Sequence, residues 1–152
     1  MRREDEKGQA MVEFAVVVGV FLLCLVGAMS ASIYTVQRSA AVTGVADGAR
    51  IAAGGTPGAG GANTPDLAAA VPAVARVVGP VMVGTRINRV PPPGTCRASG
   101  TIPHGEVDIC ATRAADTVTV RLRGTPASAL PFPGLDWSLD LAAEVHEVTF
   151  AP

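Results

Sequence analysis

Aromatic side chains are scarce in this chain: six among 152 residues, with one Trp and one Tyr. The apolar content is mostly Ala and Val, diluted by 17 Gly and 12 Pro, so any core is thin and built from small side chains. Lysine is nearly absent, with Lys7 alone against eleven Arg, which suggests a GC-rich coding bias more than selection for a partner. An excess of one charge is missing too: the formal net charge of −1 leaves no electrostatic footprint for nucleic acid. Cysteine is limited to Cys24, Cys96 and Cys110, with no CxxC pair and no nearby His at ligand spacing, which argues against zinc. Catalytic constellations are lacking as well. His104 and His146 are isolated, on a turn-rich loop and on the polar face of a strand. Asp136, Asp140 and Glu144 recur at every fourth position, which on a strand places them on one solvent face rather than around calcium or an acid–base pair. The stretch from Gly54 to Gly61 has the glycines of a phosphate loop but neither its preceding strand nor its following Lys-Ser/Thr. No enzyme and no cofactor is indicated.

What the chain does have is a long uncharged run. Residues 1 to 8, MRREDEKG, are polar; from Phe14 to Ile33 there follow 20 residues without a charge. At 1.5 Å per residue a helix of that length spans the ~30 Å hydrocarbon core of a bilayer. A domain this small has nothing with which to surround such a helix on all sides, so the run reads as a membrane span. Arg2, Arg3 and Lys7 precede it, against Arg38 and Arg50 in the next 20 residues, and this bias places the N-terminus on the cytoplasmic side. Cys24 lies inside the run as a small hydrophobe.

The helical pattern continues beyond the run. Val42, Val45, Ala49 and Ala52 follow at three- and four-residue spacing, with Gln37, Arg38, Asp47 and Arg50 elsewhere on the wheel, until Gly54 and Gly55 end it. Gly44 and Gly48 weaken this upper half by roughly 1 kcal/mol each, which leaves a bend or a break open there. Residues 56–65 read as a flexible linker. Thr64 and Pro65 then suit the N-cap and first residue of a short helix carrying Leu67, Val71, Val74 and Val78 on one face, with Pro72 against it.

The remainder reads as strands. VMVGTRI (81–87) alternates Val81, Val83 and Ile87 against Met82, Gly84 and Arg86; EVDICA (106–111) is shorter; TVTVRLR (117–123) alternates throughout. WSLDLAAEVHEVTF places Trp137, Leu139, Leu141, Ala143 and Val145 on one face, then shifts phase at Val148 and Phe150, which a bulge between Glu144 and Glu147 explains. The expected fold class is α+β: a long N-terminal transmembrane helix, continuing outside the membrane, followed by a small antiparallel sheet whose apolar face the helix covers. The division is a leader at 1–8, a helix at 9–55 with its span at about 14–33, the linker, and an α+β domain at 66–152. Cys96 and Cys110 flank a polar, turn-rich segment and are a candidate disulfide on export.

GQAMVEF, at the start of the helix, gives the sharpest functional reading. Gly8 separates the charged leader from the apolar run, and Glu13 is the fifth residue counted from Gln9. This resembles the processing site of type IV prepilin-like proteins, with Gly8 before the cut, Gln9 as the new N-terminus, and Glu13 followed by Phe14. With SAAVTGVADGARIAAGG and the distal TVTVRLRGTPASALPFPGLDWSLDLAAE, it resembles TadE-like proteins, the minor pilins or pseudopilins of tight-adherence (Flp-type) pili. Most of the resemblance lies in the first ~45 residues. Phe14 stands where Tyr is common in the major pilins of that system. The resemblance implies a surface-pilus role, with a prepilin peptidase, an assembly platform and ATPase, other pilins and the membrane as partners.

The carboxylate also has a physical reason of its own. Cleavage after Gly8 creates an amine on Gln9, and positions 9 and 13 share a helix face. Two charges at a membrane edge cost far less paired than alone. The amine of a neighbouring subunit serves equally well. The competing reading of Glu13 is an interfacial charge reaching the headgroups without a partner. The competing reading of the whole segment is an ordinary signal peptide with an h-region at 14–27 and small residues Ala28, Ser30, Ala31 and Ser32 near a cut, or a plain anchor, giving a secreted or membrane-anchored small binding domain. The acidic leader, Glu13 and the periodicity beyond Ser32 weigh against it.

Overall fold

The computed structural model describes residues 2–57, 63–98, 100–127 and 137–146. The N-terminal helix α1 is Arg2–Gly54 and passes through Gly44 and Gly48 without a break. The chain divides into two compact units, Met1–Ile33 and Tyr34–Pro152, and α1 contributes to both.

In the second unit α1 presents a face of small residues. Ala41, Val45, Ala49 and Ala52 are buried, as is Gln37, whereas Val42, expected on this face, is about half exposed. The reason lies in the other helix, α2 (Leu67–Val78), which packs where Gly44 and Gly48 leave room. A Cβ on Gly48 would lie 2.5 Å from Val74 Cγ2 and 3.2 Å from the Ala70 carbonyl oxygen. The two glycines therefore trade helix propensity for close approach of two helices. Asp66, not Thr64, is the N-cap of α2, its carboxylate accepting from Ala69 N–H at 3.0 Å. The Asp66 backbone N–H also donates to the Ala52 carbonyl at 3.0 Å, satisfying an acceptor that the end of α1 leaves over. Between the helices, the residues read as a linker include a two-stranded antiparallel ladder, β1 (Thr56–Pro57) with β2 (Asn63–Thr64).

A four-stranded sheet completes the unit: β3 (Arg86–Arg89), β4 (Glu106–Ala114), β5 (Thr117–Thr125) and β6 (Leu139–His146), in that spatial order. The β4, β5 and β6 strands are antiparallel neighbours, but β3 runs parallel to β4, so the sheet is mixed where an antiparallel one was expected. A parallel pair needs a long connection, and residues 90–105, with three prolines at 91–93, supply it. The strand expected at 81–87 is displaced for a related reason. Val81 and Met82 still turn off the end of α2, both N–H groups donating to the Val78 carbonyl. Met82 is thereby buried, while Val83, expected to face inward with Val81, is 77% exposed.

The remaining alternation holds. Val107, Ile109 and Ala111 on β4, Val118, Val120 and Leu122 on β5, and Leu139 on β6 join the α1 and α2 residues in one core. The helices cover the apolar face that a single sheet must bury, and this apolar and the opposite polar row together account for the period of two. The pairing of β6 with β5 keeps an unbroken register through Glu144, Val145 and His146, so the bulge expected near Glu144 to Glu147 does not occur as far as His146; Glu147 onward, and the connection through 128–136, lie outside the described residues.

Candidate functional site

The first unit consists of α1 residues whose apolar side chains point outward on every side. Met11 is 77% and Phe14 70% exposed, and Val16, Val17, Val20, Phe21, Leu22, Leu23 and Leu25 are exposed with them. Successive residues advance 100° around a helix, so these positions leave no polar stripe. Gln9–Gly54 is long and apolar enough to cross a membrane. Two of its hydroxyls bond back into the helix: Ser30 Oγ donates to the Val26 carbonyl at 3.0 Å and Ser32 Oγ to the Ala28 carbonyl at 2.9 Å. This back-bonding is how a serine is carried in an apolar segment. Cys24 is a free thiol, exposed on the same helix.

Gly8 and Gln9 lie within α1, and Gln9, Glu13 and Phe14 are exposed. Helical geometry puts residues 9 and 13 one above the other, so the Gln9 backbone nitrogen and the Glu13 carboxylate belong to one edge of the helix. In the uncut chain that nitrogen is an amide; only cleavage makes it a charge.

The second unit contains a polar cluster that sequence reasoning missed. Cys96 and Cys110 are joined in a disulfide with their Cα atoms 5.5 Å apart. It holds the 90–105 connection against the polar face of β4. One pleat away, the Arg97 guanidinium grips Asp108 with two bonds, Nη2 to Oδ1 at 2.7 Å and Nε to Oδ2 at 2.9 Å, and the Arg97 backbone N–H adds a third at 3.2 Å. Arg97 Nη2 also reaches Glu106 at 2.9 Å, and Asn88 Nδ2 from β3 donates to both carboxylates at 3.0 and 3.2 Å. The Asp108 side chain is 1% exposed, yet fully partnered. Its pKa is held below the usual carboxylate range chiefly by the Arg97 side-chain hydrogen bonds, against the opposing effect of burial. Glu106 is lowered by Arg97 first and Asn88 second. Farther across the sheet Arg123 Nη2 binds Asp140 at 2.6 Å, which lowers Asp140, with Arg121 Nε at 3.5 Å on the other oxygen.

These pairs neutralise one another, which is the arrangement of a structural fastening rather than of a reactive group. The signal for it was in EVDIC, where Glu106, Asp108 and Cys110 share one parity of a strand whose other parity is Val107 and Ile109. Asp140 and Glu144 are exposed on β6 as expected, while Asp136 and the His146 side chain lie outside the described residues. Among the described residues no group of three His, Cys, Asp or Glu is arranged to hold a metal ion. A cleft of about 260 Å³ is lined by Gly100, Ile102, Arg123, Thr125 and Ser138.

A family model described as TadE-like protein matches residues 8–50. The match takes in Gly8, Gln9, Glu13 and Phe14 and ends before the sheet begins. No curated protein and no solved structure matches the chain.

Proposed function

We propose, for a chain whose residues 8–50 match the TadE-like family, that it is a minor pilin or pseudopilin taking part in assembly of a Tad-type pilus. The family match supports a pilus-associated protein in general; the assignment of roles to individual residues is our reading. A prepilin peptidase cuts after Gly8 on the cytoplasmic side, α1 spans the membrane, and the sheet-bearing unit lies outside. Partners are the assembly platform with its ATPase and other pilins.

The observation that carries the reading is one acidic side chain at the start of an otherwise apolar, outward-facing helix. In a bilayer the exposed Val, Leu and Phe side chains are solvated by lipid, and in a filament they pack against the same segments of neighbouring subunits. Glu13 is costly in both settings without a cation. Cleavage supplies that cation on Gln9, about one helical turn away, a rise of ~6 Å along the axis. An uncut neighbour offers no free amine at this position, so the pair also distinguishes processed from unprocessed subunits.

The test is N-terminal sequencing of protein recovered from membranes, together with Glu13→Gln. A mature start at Gln9 and loss of pili at normal membrane levels are expected. A start near Ala31 would instead favour the secreted binding domain, and an intact leader a simple anchor. Unchanged piliation of the Glu13→Gln strain would remove the assembly role given to the carboxylate.

A further inference from the structure

The chain's one Tyr and one Trp, 103 positions apart in sequence, meet: the rings of Tyr34 and Trp137 have centroids 4.1 Å apart at an interplanar angle of 46°. Neither is buried in the core, which is built from Ala, Val, Leu, Ile and Met; both rings are half-buried, and Tyr34 packs at the core's margin. Tyr34 directly follows the apolar stretch that runs to Ile33, and the first charge after Glu13 is Arg38. From Glu13 to Tyr34 the helix rises about 31 Å, close to the thickness of a bilayer's hydrocarbon core. With Glu13 at one boundary, Tyr34 reaches the other. Arg38, four residues on and on the same helix face, is exposed.

We propose that Tyr34, Trp137 and Arg38 form a contact surface for phospholipid headgroups, a proposal that rests on the membrane reading of α1. Tyr and Trp are suited to this depth because each ring is apolar in body and carries one polar hydrogen-bonding group, so one end prefers acyl chains and the other water. An Arg beside them extends its guanidinium to lipid phosphate while its stem lies along apolar surface. The aromatic pair joins the helix at its exit from the bilayer to Trp137, two residues before β6. A pair serving only to close the end of the core would make no lipid contact, and this difference can be measured.

The experiment uses the full chain with its disulfide intact, reconstituted into phosphatidylcholine vesicles containing phosphatidylglycerol. Acyl chains are brominated either near the headgroup or near the bilayer centre. Trp137 is the only tryptophan, so its quenching needs no substitution to interpret. In a separate sample Cys24, the free thiol, carries a fluorophore that reports the depth of the span. Shallow bromines are expected to quench Trp137 more than deep ones, and the Cys24 probe to show the reverse order. Arg38→Gln is expected to reduce Trp137 quenching in vesicles with phosphatidylglycerol. Trp137 unquenched, or quenched most by deep bromines, with the Cys24 probe quenched, overturns the headgroup contact while leaving the span intact. A Cys24 probe that no bromine quenches overturns the membrane reading itself, and the contact with it. Arg38→Gln without effect removes Arg38 from the surface.

Discussion

Replacing Gly48 with Ala sets two well-understood effects against each other. In an exposed helix the change gains roughly 1 kcal/mol, because Ala loses less backbone freedom on folding. Here the added methyl lies 2.5 Å from Val74 Cγ2 and 3.2 Å from the backbone oxygen of Ala70. The first contact is far inside van der Waals range, and Val74 is a β-branched residue on a helix, stiff about χ1. The second is to backbone, which moves only if α2 moves. Overpacking of this kind costs about 1–3 kcal/mol, so the net expectation is a loss of about 1 kcal/mol. For a unit of this size that corresponds to about 4 °C in melting temperature. Heating the full chain in detergent while following Trp137 fluorescence gives the readout, since Trp137 lies against Tyr34 within the same unit. Gly54→Ala is the control: nothing lies within 4 Å of its Cβ, and it is expected to be neutral or stabilising. The double variant Gly48→Ala/Val74→Ala is expected to be more stable than the sum of the single changes allows, because truncating Val74 removes the clash. A Gly48→Ala protein that melts higher than the parent, by the amount propensity alone supplies, would refute the close packing of α1 on α2.

Asp108, Glu106 and Asp140 are all lowered by their arginine partners. Their contribution is present above the unfolded carboxylate range, near pH ~4, and is lost as pH falls through the still lower folded values. Denaturant titrations are therefore expected to show constant stability from neutral pH down to that range and a decline below it. Asp108→Asn, costing about 2 kcal/mol at neutral pH, should make the decline shallower; an unchanged slope would mean that Arg97 does not hold this carboxylate. Removing the bridge with Cys96→Ser/Cys110→Ser opens a loop with a sequence separation of 14, for which a loss of about 3 kcal/mol is expected. Chemical denaturation of the oxidised parent and this variant checks it, and equal midpoints would contradict the estimate. Gly124→Ala is expected to be severely destabilising, because φ is 147° and the new Cβ would press on the Glu106 carbonyl oxygen of the neighbouring strand. Recovery of folded protein at parental yield would count against that close approach.

Periodicity carried much of the fold. Val118, Val120 and Leu122 alternate with Thr and Arg because β5 has neighbours on both edges and a core on one face, and a period of two follows directly. The same rule misled at 81–87. Val81, Val83 and Ile87 have the right spacing, but the turn after α2 takes Val81 and Met82 before a strand can start, and hydrophobic alternation does not record hydrogen bonds to the preceding helix. The wheel of α1 was misread for the opposite reason. Gly44 and Gly48 contribute nothing to a hydrophobic pattern, yet they define the buried face, turning it from Val42 toward Ala41 and Gln37. The processing motif was legible because its information is local: a glycine, a carboxylate and the distance between them. The Arg97 cluster was legible only in part: EVDIC puts Glu106 and Asp108 on one parity, but their partners come from distant segments, Arg97 from the 90–105 connection tied to β4 by the disulfide and Asn88 from the parallel β3.

That parallel placement bears on how the sheet opens. The β4–β5 hairpin closes through Ala115 and Asp116 alone, whereas β3 reaches β4 only by way of residues 90–105. The shorter β3, at the sheet's edge, is thus the strand expected to detach first in local fluctuations, with amides that exchange soonest. When it leaves, Asn88 departs from Asp108 and Glu106, but Arg97 remains, tethered through the adjacent Cys96 to the strand that holds both carboxylates. Fraying at this edge never strands a buried negative charge, so the sheet is free to open and reclose there without unfolding as a whole.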